Sequence, residues 1–196
     1  PNGIHTERFC ARSQELSRQE LALETDLKYV GYFGSMEPDR GVEDLLEAHQ
    51  IVRRDDPRVY LLIAGKRPAT LDLDRPGVRY MGNLPFDQMP LALASCDVIA
   101  IPYRRSPVMD AGASNKIAEA LYAQRPIATT DTPNFTANFP EQLESLRPIL
   151  AKSGDPTSLA RSIRTQLEQP ILVATPDGFA WKEIADRALR NILTGA

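Results

Sequence analysis

The chain has 196 residues, of which 42% are hydrophobic and 25% are charged, and its formal net charge is −3. This composition is that of a globular domain with enough apolar residues for a core, and the slight acidity argues against a nucleic-acid-binding protein. The two cysteines, Cys10 and Cys96, fit neither a disulfide scaffold nor a CxxC site, which favours a reducing cytoplasm. The sequence contains no run of 18 apolar residues that would predict a membrane span.

The beginning of the chain has no initiator methionine and no signal-peptide pattern, so we expect a fragment of a longer protein. After a polar lead-in, short apolar runs alternate with amphipathic segments. Helices are predicted at 12–23, 41–54, 86–95, 115–123, 155–169 and 179–194. Strands are predicted at 28–34, 58–64, 77–81, 97–101 and 126–130, with a sixth at 148–151.

The predicted strands lack polar alternation and are separated by amphipathic helices, which indicates a parallel sheet covered by helices on both faces. This is the doubly wound, Rossmann-like α/β class. Its ligands bind at the carboxyl ends of the strands, close to helix N-termini. The residues that follow Gly34, Gly65, Gly82 and Pro102 are therefore the places where we expect a site.

The loop 34–41 joins the first predicted strand to its helix and suits an anion. The helix N-terminus offers free N–H groups and the positive end of the helix dipole, and Arg40 adds a full charge, so together they would hold a diphosphate. The spacing is neither the GxGxxG fingerprint nor a Walker A loop. An ordinary strand-to-helix turn with a solvated arginine is the alternative interpretation.

The segment 110–119 is richer in residues suited to phosphate. Two small residues let the backbone approach a ligand, a serine can cap the next helix, and its first turn carries an amide and a cation. These residues are Gly112, Ala113, Ser114, Asn115 and Lys116. Glu119 follows one turn later, where it could accept hydrogen bonds from a ribose diol. The alternative is an ordinary helix start in which Lys116 pairs with Asp110 or Glu119.

Other residues give weaker indications of a binding site. Asp72 and Asp74 form a DxD pattern, but they lie in a loop, and we expect no metal there or at any other Cys, His or Asp grouping. The pair 104–105 follows the fourth predicted strand and would meet a phosphate or an anionic acceptor, or else remain solvated. Trp181 is expected to anchor the last helix by packing.

Taken in order, these motifs resemble the C-terminal, donor-binding half of retaining glycosyltransferases of family 4, which have two Rossmann-like domains in the GT-B architecture. Residues 1–5 are similar to the interdomain linker of that family, and 114–121 to the helix whose glutamate binds ribose. The other matching segments are 32–34, 40–41, 62–65, 78–84, 97–102 and 125–128.

The sequence departs from the family pattern at four positions. His5 replaces an aspartate of the linker, and Arg40 takes the place of a lysine. Ser35 stands where the family often has an arginine that contacts the diphosphate. A second glutamate, which contacts the donor sugar, is replaced by Ala111, and the neighbouring Asp110 could substitute for it.

The resemblance implies transfer of a sugar from a nucleoside diphosphate sugar to an acceptor with retention of configuration, without a metal or other cofactor. Arg40 and Lys116, together with the helix amides near Asn115, would stabilise the leaving diphosphate, and Glu119 would position the ribose. The implied donor-binding residues are Gly34, Ser35, Arg40, Gly65, Lys66, Gly82, Asn83, Gly112, Ser114, Asn115, Lys116 and Glu119.

The resemblance also implies a domain plan. Residues 1–27 would be the interdomain linker and lead-in, 28–178 the nucleotide-sugar-binding domain, and 179–196 a C-terminal helix. The acceptor-binding N-terminal domain would be missing from this chain, which leaves the isolated fragment poorly active or inactive. The full-length protein would be cytoplasmic or peripheral at the inner face of the membrane, and would act in polysaccharide assembly.

Two alternatives remain open on the sequence. A sugar-nucleotide epimerase shares the two-domain architecture, although we find no residues for its acid/base chemistry. A degenerate, non-catalytic nucleotide-binding module is favoured by Ser35 and Ala111, which replace residues that are usually charged in the family.

Overall fold

The computed structural model describes residues 3–194, and within them a parallel sheet of five strands forms the centre of the fold. The strand order is β3-β2-β1-β4-β5, and every neighbouring pair is parallel. The bounds are β1 Lys28–Phe33, β2 Val59–Ala64, β3 Val78–Tyr80, β4 Val98–Ile101 and β5 Ile127–Thr129. The sequence predicted all five, to within one or two residues at each end.

Nine α-helices surround the sheet within the described part of the chain. They are α1 Gln14–Glu20, α2 Val42–Asp55, α3 Met89–Ser95, α4 Pro107–Ala111, α5 Asn115–Tyr122, α6 Pro133–Thr136, α7 Pro140–Leu146, α8 Pro156–Glu168 and α9 Trp181–Thr194. Short 3₁₀ turns occupy Thr6–Arg8, Pro38–Arg40 and Arg147–Ile149. The predicted helices are present, although α1 and α3 are shorter than expected, and α4, α6 and α7 were not predicted.

Each face of the sheet has its own apolar core, because successive side chains of a strand point to opposite faces. In β2, Leu61 and Ile63 join the core under α2 and α8, whereas Leu62 and Ala64 join the core under α3 and α5. The sheet is therefore covered on both sides. This confirms the predicted Rossmann-like, doubly wound class.

The sixth strand predicted at 148–151 is wrong. Residues Arg147–Ile149 form a 3₁₀ turn, and the extended structure is reduced to a single parallel bridge between Thr130 and Ala151. Pro148 explains the difference, because proline has no N–H to donate to a sheet and its fixed φ suits the first turn of a helix.

Residues that precede β1 are tied to the body of the domain. The Arg18 side chain is 7% exposed, and its Nη2 lies 2.7 Å from Asp97 Oδ2, while its Nε donates to the Ser95 carbonyl at 2.9 Å. Asp97 also accepts the Tyr29 N–H of β1 at 2.6 Å. One buried arginine thus joins α1 to the sheet.

The beginning of the described chain lies beside the residues that lead into α9. Ile4 donates its N–H to the Phe179 carbonyl at 2.8 Å and forms a parallel bridge with Ala180. The Trp181 ring covers Gly3, where an added Cβ would lie 2.4 Å from the ring, and half of the Trp181 surface remains exposed. Within residues 3–194, no helix has the length and apolarity needed to cross a membrane. The domain boundaries at 27 and 178 remain a prediction.

A buried histidine makes the stability of this fold depend on pH. His49 lies in α2 at 1% exposure, with Nε2 3.2 Å from the Val59 carbonyl oxygen, and burial lowers its pKa to about 4. The unfolded chain, with a histidine pKa near 6.5, binds the proton first as the pH falls. We expect the free energy of unfolding to drop by about 2 kcal/mol between pH 7.5 and pH 5 for this reason.

Urea denaturation at several pH values measures this slope. The variant His49→Gln should lose most of the dependence between pH 7.5 and 5, while His5→Gln, at an exposed histidine, should keep it. An unchanged slope in His49→Gln would show that other groups cause the dependence.

Candidate functional site

A cleft of about 220 Å³ opens at the carboxyl ends of β1 and β4. From β1 the chain runs outward to β2 and β3 on one side and then returns to β4 on the other, so the loops after β1 and β4 diverge. This topological switch point is where doubly wound sheets bind their ligands. The lining residues are Tyr32, Gly34, Ser35, Arg40, Tyr103, Ala113, Ser114, Asn115 and Lys116.

The loop between β1 and α2 forms one wall of the cleft. Its last residue, Gly41, has φ +68°, and a Cβ there would lie 1.9 Å from the carbonyl oxygen of Pro102, at the end of β4. Only glycine combines this left-handed conformation with so close an approach. The contact places the Arg40 guanidinium over the Tyr103 ring, 5.3 Å from its centroid.

The N-terminus of α5 forms the opposite wall. Ser114 caps the helix by accepting the Lys116 N–H at 3.2 Å. The Ser114 N–H donates to Asn134 Oδ1 at 3.1 Å, and Asn134 Nδ2 donates to the Met109 carbonyl at 2.9 Å. The first turn of α5 is therefore held in place by a side chain of α6 and faces the cleft with its positive dipole end.

Lys116 and Glu119 form an ion pair in α5. Lys116 Nζ lies 2.8 Å from Glu119 Oε2, and the carboxylate is almost fully buried while the lysine is about one-third exposed. Burial raises the pKa of Glu119, and the Lys116 ammonium partly lowers it again. Both residues also line a smaller cavity of about 20 Å³, which shares Tyr32, Tyr103 and Lys116 with the cleft.

Two buried polar atoms in the cleft make no hydrogen bond with any residue that the structure describes. They are Arg40 Nε and Asn115 Oδ1, one on each wall. Arg40 Nε has only ion-pair neighbours, with Glu37 Oε2 at 3.6 Å and Asp39 Oδ1 at 4.0 Å. Buried polar groups in proteins are nearly always hydrogen-bonded, so these atoms mark a place for a polar ligand.

The cleft brings together most of the predicted donor-binding residues, while others lie beside it or elsewhere. The Gly65 N–H donates to the Gly82 carbonyl at 2.9 Å, and a Cβ at Gly65 would lie 1.9 Å from the Gly34 carbonyl oxygen, so these glycines adjoin the edge of the cleft. Lys66 and Asn83 are exposed. The Gly112 carbonyl accepts from Asn138 at 3.1 Å, on the α4–α5 turn.

Several charged residues near the cleft are engaged by other side chains. Arg104 binds Asp44 in the first turn of α2 through two contacts of 2.7 Å, and Arg105 binds Asp110 at 2.8 Å. Lys116 pairs with Glu119, one of the two partners foreseen from the sequence. Asp110, the predicted substitute for the sugar-contacting glutamate at Ala111, is thus held by Arg105.

The DxD pattern forms a local turn. Asp72 Oδ1 accepts the N–H of Asp74 at 2.9 Å, and both aspartates are exposed. Across the described residues, no group of three or more His, Cys, Asp or Glu side chains is arranged to hold a metal ion.

Two tyrosines in the site escaped the sequence prediction. Tyr32 and Tyr103 are each 4% exposed, and both line the cleft. The Tyr32 hydroxyl donates to the Ser35 carbonyl, and the Tyr103 hydroxyl lies 3.0 Å from Ser114 Oγ. One sequence signal could have identified them. Each is a tyrosine near the carboxyl end of a buried strand, where its ring can pack in the core while its hydroxyl reaches the site.

A family profile described as glycosyl transferases group 1 matches residues 27–169, more than half of the chain. The protein is a member of this family, and its sheet is the Rossmann-like unit of the GT-B architecture. No curated protein sequence matches the chain significantly.

Three solved structures with the same fold are described by their TM-score, sequence identity and coverage. Sucrose-phosphate synthase from Thermosynechococcus elongatus superposes with a TM-score of 0.75 at 19% identity, over 100% of this chain and 52% of that one. Anabaena HepE in complex with UDP gives 0.76 at 18% identity, over 98% and 56%. The C-terminal domain of LpcC, a group 1 family protein from Francisella tularensis, gives 0.69 at 12%, over 95% and 98%. The chain thus spans about half the length of the first two.

The ion pair of α5 yields a prediction about stability. The variant Lys116→Met leaves the buried Glu119 carboxylate without its counter-charge, and we expect the free energy of unfolding at pH 7 to fall by about 1–3 kcal/mol. Adding Glu119→Gln should recover most of the loss, because a neutral amide is less costly to bury.

Urea denaturation of the wild type, both single variants and the double variant measures this coupling. The control is Arg164→Met, which removes a pair with Asp55 that is exposed on both sides and should cost less than about 1 kcal/mol. Additive effects of the two α5 substitutions would show that the pair contributes nothing to stability.

Proposed function

We propose that this domain binds the nucleoside diphosphate sugar donor of a retaining, metal-independent glycosyltransferase of family 4. The observation that carries the proposal is a buried donor and a buried acceptor that make no hydrogen bond with any described residue, Arg40 Nε and Asn115 Oδ1, on opposite walls of a cleft at the switch point of the sheet. The presence of UDP in the HepE structure, which shares this fold, supports a nucleotide as the ligand.

The proposed chemistry is electrostatic. When the bond between the sugar and the diphosphate breaks, negative charge grows on the leaving phosphate oxygens. Arg40 would meet this charge from the β1–α2 loop, and Lys116 with the N-terminal amides of α5 would meet it from the other wall. Once the donor is bound, charges and dipoles that already face the diphosphate stabilise such a transition state without further reorganisation.

Glu119 would take up a different task when the donor binds. Lys116 would turn from the carboxylate towards the diphosphate, and the freed Glu119 oxygens would accept hydrogen bonds from the two ribose hydroxyls. Fixing the ribose in this way fixes the sugar relative to the acceptor, which lowers the entropic cost of reaction. The edge formed by Gly65, Lys66, Gly82 and Asn83 would accommodate the base.

The complete enzyme would carry a second domain that binds the acceptor and closes over the donor to exclude water. The proposed enzyme is cytoplasmic or peripheral at the inner face of the membrane, and it contributes to polysaccharide assembly. This chain alone would bind the donor and transfer sugar poorly or not at all. Retention of configuration would appear in the anomeric signals of the product made by the full-length protein.

Isothermal titration calorimetry with UDP, GDP and ADP tests nucleotide binding directly, first in buffer containing Mg²⁺ and then in buffer containing EDTA. We expect one nucleotide to bind, and the variants Arg40→Gln and Lys116→Met each to raise its Kd about 10- to 100-fold, since each removes a charge-assisted contact. Glu119→Gln should weaken binding less, because an amide oxygen still accepts from a hydroxyl.

The matched control is Arg161→Gln, at an exposed arginine of α8 that does not line the cleft, which should leave the Kd unchanged. Failure of all three nucleotides to bind the domain would contradict the donor-binding proposal and favour a degenerate module. Binding that disappears in EDTA would contradict metal independence alone.

A further inference from the structure

We propose that Tyr103 is a positioning residue that joins Arg40 and the N-terminus of α5 into one diphosphate-binding unit. This inference rests on the proposed nucleotide site. It adds a residue that no sequence motif indicated and that needs no contact with the ligand.

The ring and the hydroxyl of Tyr103 act on opposite walls of the cleft. The ring lies beneath the Arg40 guanidinium at 5.3 Å, a distance suited to a cation–π interaction. The hydroxyl lies 3.0 Å from Ser114 Oγ, the atom that caps α5. A single side chain thus orients the cation of one wall and the helix end of the other.

The backbone of Tyr103 is itself fixed. Its carbonyl oxygen accepts from Thr130 Oγ1 at 2.7 Å and from Ser153 Oγ at 3.2 Å. The residue follows β4 immediately after Pro102 and is 4% exposed. Because the backbone is hydrogen-bonded and the ring is buried, Tyr103 holds a fixed position from which it contacts Arg40 and Ser114.

The arrangement explains how Arg40 keeps its orientation beside two carboxylates. Glu37 and Asp39, in the same loop, lie within ion-pair distance of Arg40 Nε. The Tyr103 ring offers a competing surface inside the cleft. Losing the ring would therefore leave Arg40 to its acidic neighbours and lower its availability to a diphosphate.

Calorimetry with the tightest-binding of UDP, GDP and ADP tests this role. Tyr103→Phe keeps the ring and loses the bond to Ser114, so we expect the Kd to rise about fivefold. Tyr103→Leu loses both contacts, and we expect about thirtyfold. The control is Tyr122→Phe, which removes a hydroxyl bonded to the Pro176 carbonyl at 2.7 Å, at the far end of α5, and should leave the Kd unchanged.

A double-mutant cycle separates positioning from a general structural effect. In an Arg40→Gln background, Tyr103→Leu should raise the Kd only about fivefold, because the cation that the ring supports is already gone. The NMR signal of Arg40 Hε should also lose its ring-current shift in Tyr103→Leu and keep it in Tyr103→Phe, in the protein without ligand.

The outcomes are distinct. If the wild type binds nucleotide and both Tyr103 variants bind it with the wild-type Kd, the positioning role is overturned and the nucleotide site stands. If Tyr103→Leu weakens binding by the same factor in both backgrounds, the coupling to Arg40 is overturned. If the wild type binds none of the three nucleotides, the proposed function is overturned, and this inference with it.

Discussion

The close approach of Gly41 to the Pro102 carbonyl fixes the shape of the candidate site. This contact requires a residue without a side chain in a left-handed conformation, and it brings the β1–α2 loop down onto the end of β4. Arg40 and Tyr103, which flank the contact, are thereby stacked. The cleft thus depends on the packing of two loops, whereas the strands beneath it only determine where the loops begin.

Each cation of the site forms an ion pair with a carboxylate of the same chain. Arg40 lies beside Glu37 and Asp39, and Lys116 binds the buried Glu119. Such pairing limits the cost of holding charges in a partly dry cleft. A diphosphate would have to replace these carboxylates as the partner of each cation, so its affinity would measure a difference between two sets of ion pairs.

The sequence was most informative where one physical rule dominated. Apolar runs without alternation, such as 58–64, predicted buried parallel strands, and Ser114 before an apolar helical pattern predicted a capped helix. The prediction failed at 148–151, where an apolar run suggested a strand but Pro148 favoured a turn. Local patterns also could not show that Arg105 holds Asp110, or that Tyr103 lies under Arg40, since Tyr103 is 63 positions further along the chain than Arg40.

The attachment of α1 to the sheet has a mechanical consequence. Arg18 donates to the Ser95 carbonyl and to Asp97, and Asp97 also accepts the Tyr29 N–H of β1, so α1 cannot rotate against the sheet without breaking buried polar contacts. In a larger enzyme whose halves open and close, residues 13–27 would move as one rigid body with this half. The pivot of that motion would have to lie outside them.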